Sequence, residues 1–525
     1  YKIMGKIIET QISRWDGGIA NDPRDPRTNV ATIVTNFDIL DPYRLIPYQN
    51  SEDGDANASS NKISNFCIAK LNSTPTYALY GLGRSTTGTD RAKVFYKGLS
   101  TNSTNDLTDN GWLETANNAS AANSSGLSPE LFVFYEKTGL IYMADMANDK
   151  IMAYDPDGSD VWDETQALTM THITQGIVHS KDDILYFGYY NSAGSAGVKS
   201  YIAKKDGSGA WNLTALALPD NMRIRSICEY GNYIAIGCEV FNPTAAGVLG
   251  SVIYLWDRDA TLTTLSESIY WGDDMLLVLE EINGVLIGIS FSNVARLKPR
   301  ITFRYLSVSE SLEFFTLIPT QASGTPDLIQ YKQKINNRLY FLMEAQIDGE
   351  GRDGVWSVSG RPGDFKIVHE RTPNNDTAIT NSTSSLVAFF FVGDYLFIVR
   401  NDNGTYVMTK TDGAGTYSAS SIYEKLFNTI DSNTTKKLLG ATVMTEPLPA
   451  AGQIILKYKA NEESSWTTIF TEATDNSLSH SAINIESSGA TLPQYKELKL
   501  RIESTGGSVI TGLKFKEEIM DNDIY

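Results

Sequence analysis

The sequence predicts an all-β protein: a β-propeller of about seven blades, with an N-terminal arm before it and a C-terminal antiparallel β-sandwich after it. Three observations carry this. An apolar-aromatic hairpin recurs along the middle of the chain, tight-turn dipeptides sit between its strands, and the strand pattern lengthens and alternates after about residue 430.

The hairpin comes first. Its leading strand is Thr76–Tyr80, Leu140–Met143, Ile184–Phe187, Tyr233–Ile236, Val285–Ile289, Leu339–Leu342 and Tyr395–Ile398 in turn. Each is followed by a partner: Lys93–Tyr96, Lys150–Tyr154, Ser200–Ala203, Val252–Trp256, Ile301–Tyr305, Gly354–Val358 and Tyr406–Thr409. Most also have a preceding strand joined by a tight turn, for example at Lys181–Asp183, Gly231-Asn232, Asn283-Gly284 and Gly393-Asp394; Gly and Asn accept the positive φ such a turn requires. Three strands and a variable fourth, recurring every ~45–65 residues, match one propeller blade per repeat. A lone blade cannot bury both faces, and stacking around an axis covers them. That accounts for continuous apolar runs such as Ala388–Val392. The propeller is assigned to 63–428.

Residues 1–62 break the period. A strand is expected around Thr32–Leu40, after the Pro/Asp/Arg-rich stretch Asp22–Arg27, and the Asn/Ser-rich run 51–61 reads as loop. This arm is expected to lend a strand that closes the ring or to dock on a neighbour. From 429 to 525 alternation is clear in Glu497–Glu503 and Gly512–Lys516, one face apolar and one charged, as in a sandwich.

The chain has 525 residues, 42% of them hydrophobic, enough for a full core and more than one domain. Its formal charge is −18, which argues against tracking a nucleic-acid backbone, since that requires Lys and Arg to displace counterions. There is no apolar run long enough for a membrane span. Three cysteines make no disulfide framework. Hairpin counting sets Cys228 opposite Ala235 rather than Cys238, so three free thiols are expected.

Motifs for chemistry are scarce. His172, His179, His369 and His480 include no pair at metal-ligand spacing, and neither a nucleophile elbow nor a phosphate-binding loop is present. Asp155–Asp160 departs from calcium-loop spacing and lacks the closing Glu, and Asp206–Trp211 reads as a blade turn. Propeller glycosidases need paired carboxylates around the axis, but the sequence does not say which of its many carboxylates converge. No catalytic residue, cofactor or metal ligand is assigned, and the chain is expected not to be an enzyme.

The stretch Glu9–Ile19, with Asp22–Arg27 and Asn36–Asp38, resembles the opening of structural proteins from tailed bacteriophages. The C-terminal segments Glu446–Pro449, Ile455–Lys459, Trp466–Ile469 and Arg501–Gly507 are similar to a module that often closes such proteins. The resemblance covers roughly 150 residues at the two ends; the propeller matches by pattern only. It implies a virion structural component, tail-associated and assembled in the bacterial host cytoplasm. Its partners would be other virion proteins, copies of itself and a host-surface glycan or protein. Within the arm, Arg14, Trp15 and Asp16 are the candidate interface residues, Trp for apolar contact and Arg for charge-assisted hydrogen bonds. The alternative for Trp15 is packing on its own propeller. The alternative for the whole protein is a carbohydrate-binding or glycan-hydrolysing propeller.

Overall fold

The structure is a computed structural model. It describes the chain except residues 1–6, 16, 18, 20–30, 40, 50, 54–60, 73–75, 86–91, 100–105, 108–111, 118–130, 146–148, 159–161, 193–196, 243–246, 260–266, 273, 293–298, 307–311, 321–330, 348–349, 374–384, 403–404, 412–416, 418–419, 429–433, 484–492 and 521–525. All its named elements are β-strands.

Among the described residues, seven antiparallel groups of strands follow one another along the chain, six as separate sheets and one as part of a nine-stranded sheet, with strands running outward from the centre in sequence order. They span 61–117, 132–167, 172–217, 222–272, 275–319, 332–371 and 385–411, here blades 1 to 7. The seven hairpin strands read from the sequence are the second strand of each blade, and their partners the third. In blade 3 the first strand is split into His172–Ile173 and Ile177–His179, both paired with Ile184–Ser192. The register sets Cys228 opposite Ala235, and all three cysteines are free thiols.

Apolar faces are buried between blades rather than within them. One cluster joins Tyr80 and Leu82 of blade 1 to Ile141 and Met152 of blade 2; another joins Phe303 of blade 5 to Phe341 and Trp356 of blade 6. Gly237 allows the close approach this requires: a Cβ there would lie 2.6 Å from Leu276 of the next blade. Buried hydroxyls complete the seam between blades 4 and 5. Ser226 Oγ accepts the Leu279 N–H at 3.1 Å, and Ser251 Oγ accepts the Leu276 N–H at 2.8 Å.

Blade 7 takes its outermost strand from the arm: Ser51–Asp53 pairs antiparallel with Thr405–Thr411. The start of the run read as loop is therefore a strand, because three backbone positions fill an open sheet edge. The rest of that run, 54–60, lies outside the described residues.

Beyond the propeller, two sheets enclose a second core. One contains Thr435–Thr445 and Ile510–Met520, the other Glu497–Thr505 and Gln453–Ala460. The arm enters both. Ile7–Ile12 pairs with Ile510–Met520, while Ile33–Thr35 pairs with Ser421–Asn428 and, in parallel, with Lys366–Arg371 of blade 6. Ser421–Asn428, assigned by sequence to the propeller, pairs with Glu497–Thr505 and so belongs to the sandwich sheet.

Trp15 is fully buried in this second core. It stands edge-on to Tyr423 with centroids 4.8 Å apart, beside Val34, Phe37 and Leu500. Its indole packs within its own chain, against the sandwich rather than the propeller. Arg14 is exposed; Asp16 lies outside the described residues.

Candidate functional site

In blades 3 to 6 the first strand ends at a short turn, so residues just before that turn crowd together at one end of the ring. Four such ends, from blades 3 to 6, line a cavity of about 510 Å³ bounded by Ser180, Cys228, Glu229, Glu280, Glu281 and Lys334. Glu229 precedes the Gly231-Asn232 turn, Glu280 and Glu281 precede Asn283-Gly284, and Lys334 precedes Asn336-Asn337. Gly231, Asn283 and Asn336 all have the positive φ these turns need.

Lys332 ties the cavity floor. Its Nζ donates to the carbonyl of Ile227 in blade 4 at 3.0 Å and to that of Leu279 in blade 5, and it pairs with Glu280 Oε2 at 2.7 Å. A buried ammonium with three acceptors is satisfied, so it joins three blades without an orphaned charge. Lys334 pairs with Glu281 and stands 4.0 Å from Glu280. Glu229 differs: its carboxylate accepts the backbone N–H of Ser180 at 3.0 Å and the Ser180 hydroxyl, both neutral donors.

Behind Ser180, the buried His179 fixes the approach. Its Nδ1 accepts from Arg258 Nη1 at 3.2 Å and from the Lys181 N–H at 3.3 Å, and Arg258 in turn pairs with Asp182. Burial, with the Arg258 charge adding to it, holds His179 below the usual imidazole range, so the ring stays neutral as an acceptor. The Cys228 thiol is pushed far above its ordinary pKa by burial first, so it is no nucleophile. The cavity thus offers carboxylate acceptors and an ammonium donor side by side, the equipment that positions hydroxyl groups.

No sequence motif marks these residues. The available signal is positional: charged residues one to three places before the first-hairpin turn in successive repeats. Of the four histidines, His172 and His179 are buried in the split first strand of blade 3 and His369 in blade 6, and the side chain of His480 lies outside the described residues. Asp155 and Asp157 form a turn in which the Asp157 N–H donates to Asp155 Oδ1 at 3.0 Å; Asp206 accepts the Gly209 N–H at 3.1 Å in another. Among the described residues no group of three or more His, Cys, Asp and Glu side chains is placed to hold a metal ion, and no helix is long and apolar enough to cross a membrane.

No family model matches the chain, and no curated protein matches it. Solved structures do. An exo-β-1,3-galactanase from Phanerochaete chrysosporium is 9% identical, with 89% of this chain and 99% of that one covered and a TM-score of 0.31. A Trypanosoma rangeli sialidase is 10% identical, with 96% of each covered and a TM-score of 0.31. The six-bladed propeller lectin of Aleuria aurantia is 12% identical, with 59% and 97% covered and a TM-score of 0.33. Two of these are hydrolases, which corrects the expectation that the chain is not an enzyme. At such identities the likeness concerns fold alone and identifies no reaction.

Proposed function

We propose that the protein is a glycan-recognising β-propeller, binding or hydrolysing a polyhydroxylated ligand at the cavity between blades 3 and 6. The observation that supports this is the convergence of Glu229, Glu280, Glu281 and Lys334 on one 510 Å³ cavity at the turn end of the innermost strands. Sugar hydroxyls both donate and accept, and charged partners make their hydrogen bonds strong and directional. Paired carboxylates are also the side chains that glycoside cleavage employs.

The test is calorimetric titration with a panel of neutral oligosaccharides, alongside a reducing-end assay. Binding or turnover should fall at least tenfold in Glu229→Gln and Glu281→Gln with melting temperatures unchanged. If no panel glycan binds, or if both variants bind as the parent does, the proposal fails.

A second reading, a tail-associated structural component of a bacteriophage virion, is favoured by one observation. The two end segments that carry the phage resemblance meet in space: Trp15 and Phe37 share one core with Leu448 and Ile502. Under that reading the sandwich is the mounting module and the glycan belongs to the host surface. Stoichiometric recovery of the protein in purified particles tests it, and absence from them ends it.

A further inference from the structure

At the opposite end of blade 4's innermost strand, six residues from Glu229, stands a cation that the cavity does not use. Arg223 is partly buried, its guanidinium 3.6 Å from the ring centroid of Phe241 and 5.8 Å from that of Tyr190 in blade 3. Stacking occupies the face of a guanidinium and leaves its N–H donors, which lie in the plane, pointing outward.

The carboxylate opposite Arg223 in the ladder is Glu239, but it is engaged elsewhere. Arg225 Nη2 donates to it at 3.0 Å and Arg225 Nε stands at ion-pair distance, 2.8 Å, with Glu239 fully buried. Arg225 lies two residues along the strand from Arg223, so alternation puts both on the face of Glu239, and a bulge between Ile224 and Ser226 interrupts the ladder beside them. His172, buried against Tyr190 at 5.4 Å, is kept neutral by burial and by Arg225. The local charge is therefore one unit positive, in a chain whose net charge is −18.

Arg223 Nε is buried without a hydrogen-bond partner. Among the described residues no carboxylate stands within ion-pair distance of it. A buried N–H without an acceptor is costly, and a charged one more so, unless a ligand supplies the acceptor.

We propose that Arg223, platformed on Phe241 and flanked by Tyr190, is a subsite between blades 3 and 4 for the carboxylate of an acidic sugar. A carboxylate matches the planar fork with two parallel N–H···O bonds, and the neighbouring rings suit the apolar face of a pyranose. This site lies roughly 20 Å from the Glu229 cavity along the strand, so it stands or falls separately from the glycan site proposed there.

The experiment is calorimetry on the full chain at low salt with glucuronate, glucose and inorganic phosphate as probes. Glucuronate should bind, and glucose should bind at least tenfold more weakly. Arg223→Gln should lower glucuronate affinity at least tenfold. Arg223→Lys, which keeps the charge and loses the fork, should lower it severalfold. Phe241→Leu should weaken binding by freeing the guanidinium from its platform, while Lys70→Ala, at an exposed ion pair between blades 1 and 2, should leave it unchanged. Glucuronate binding that persists in folded Arg223→Lys and Phe241→Leu overturns the proposal, as does failure of the parent to bind it. Phosphate binding as tightly as glucuronate would make this a general oxyanion site and overturn the acidic-sugar assignment.

Discussion

The propeller and the sandwich solve the same problem, covering both faces of a sheet, by opposite routes. In the propeller most pairings join strands that are neighbours in sequence, such as Tyr233–Asn242 with Met222–Tyr230. In the sandwich the defining pairings join distant ones: Ile7 opposite Glu518, Ile33 opposite Glu424. Local pairing repeats and can be read from a pattern; distant pairing depends on which edge is left open when the rest has formed. The arm belongs to the second kind even where it touches the first, because Ser51–Asp53 fills the edge of blade 7.

The sharpest way to break this contrast is to remove the arm. Deleting residues 7–15 strips the sandwich of an edge strand and of Trp15. It should split chemical denaturation into two phases, with the sandwich unfolding first and the propeller keeping its midpoint. One unchanged transition would mean that the sandwich does not depend on distant pairing.

Within the propeller, truncating the fully buried Phe389 to Ala should cost about 3–5 kcal/mol. Phe390 and Phe391 are only partly buried, stacked on Phe66 and tilted against Tyr340, so their truncation should cost less. Equal losses at all three positions, measured by urea titration, would contradict burial between blades as the source of stability.

Acid compares the two regions by titration. His369 joins blade 6 to the arm: its Nδ1 lies 3.2 Å from Thr35 Oγ1, and its Nε2–H points to the Asp353 carbonyl at 3.2 Å. His172 sits wholly within the propeller. Burial drives both down to about 3. Above pH ~6.5 both are neutral, folded or unfolded. Below it the unfolded chain takes up protons that the folded one refuses, so stability falls by about 1.4 kcal/mol per pH unit per histidine until pH approaches 3. His172→Gln and His369→Gln should each remove one such increment from the slope of stability against pH between 6 and 4. An unaltered slope in either would mean that the ring is not held neutral.

The smallest effect should come from Lys70, whose exposed pair with Glu136 at 2.7 Å bridges blades 1 and 2. Lys70→Ala should leave the melting temperature unchanged, since exposed ion pairs contribute little. A clear fall would show that blades are held by surface charge as well as by their buried seams.

All seven central hairpins were legible because each carries its own turn chemistry and apolar strand within about 25 residues. Ser421–Asn428 was misassigned to the propeller because its partner, Glu497–Thr505, lies some 70 residues away and its own composition does not distinguish the two sheets. The cavity residues were hidden for a related reason. Glu229, Glu281 and Lys334 are ordinary charged residues before ordinary turns, and only closure of the ring brings them together. Trp15 was visible as a large apolar residue in a polar arm, but its partner Tyr423 lies 408 positions along the chain.

The strand that completes blade 7 also sets an order of events during synthesis. Ser51–Asp53 leaves the ribosome long before Thr409–Thr411, its partner, exists. At ordinary translation speeds the wait is about 20–70 s. Throughout it blades 1 to 6 can form from their own hairpins, but the ring stays open. Its last seam closes only when the earliest part of the chain meets one of the latest, so nascent chains stalled before about residue 411 should carry an unfinished edge, open to chaperones and to wrong partners alike.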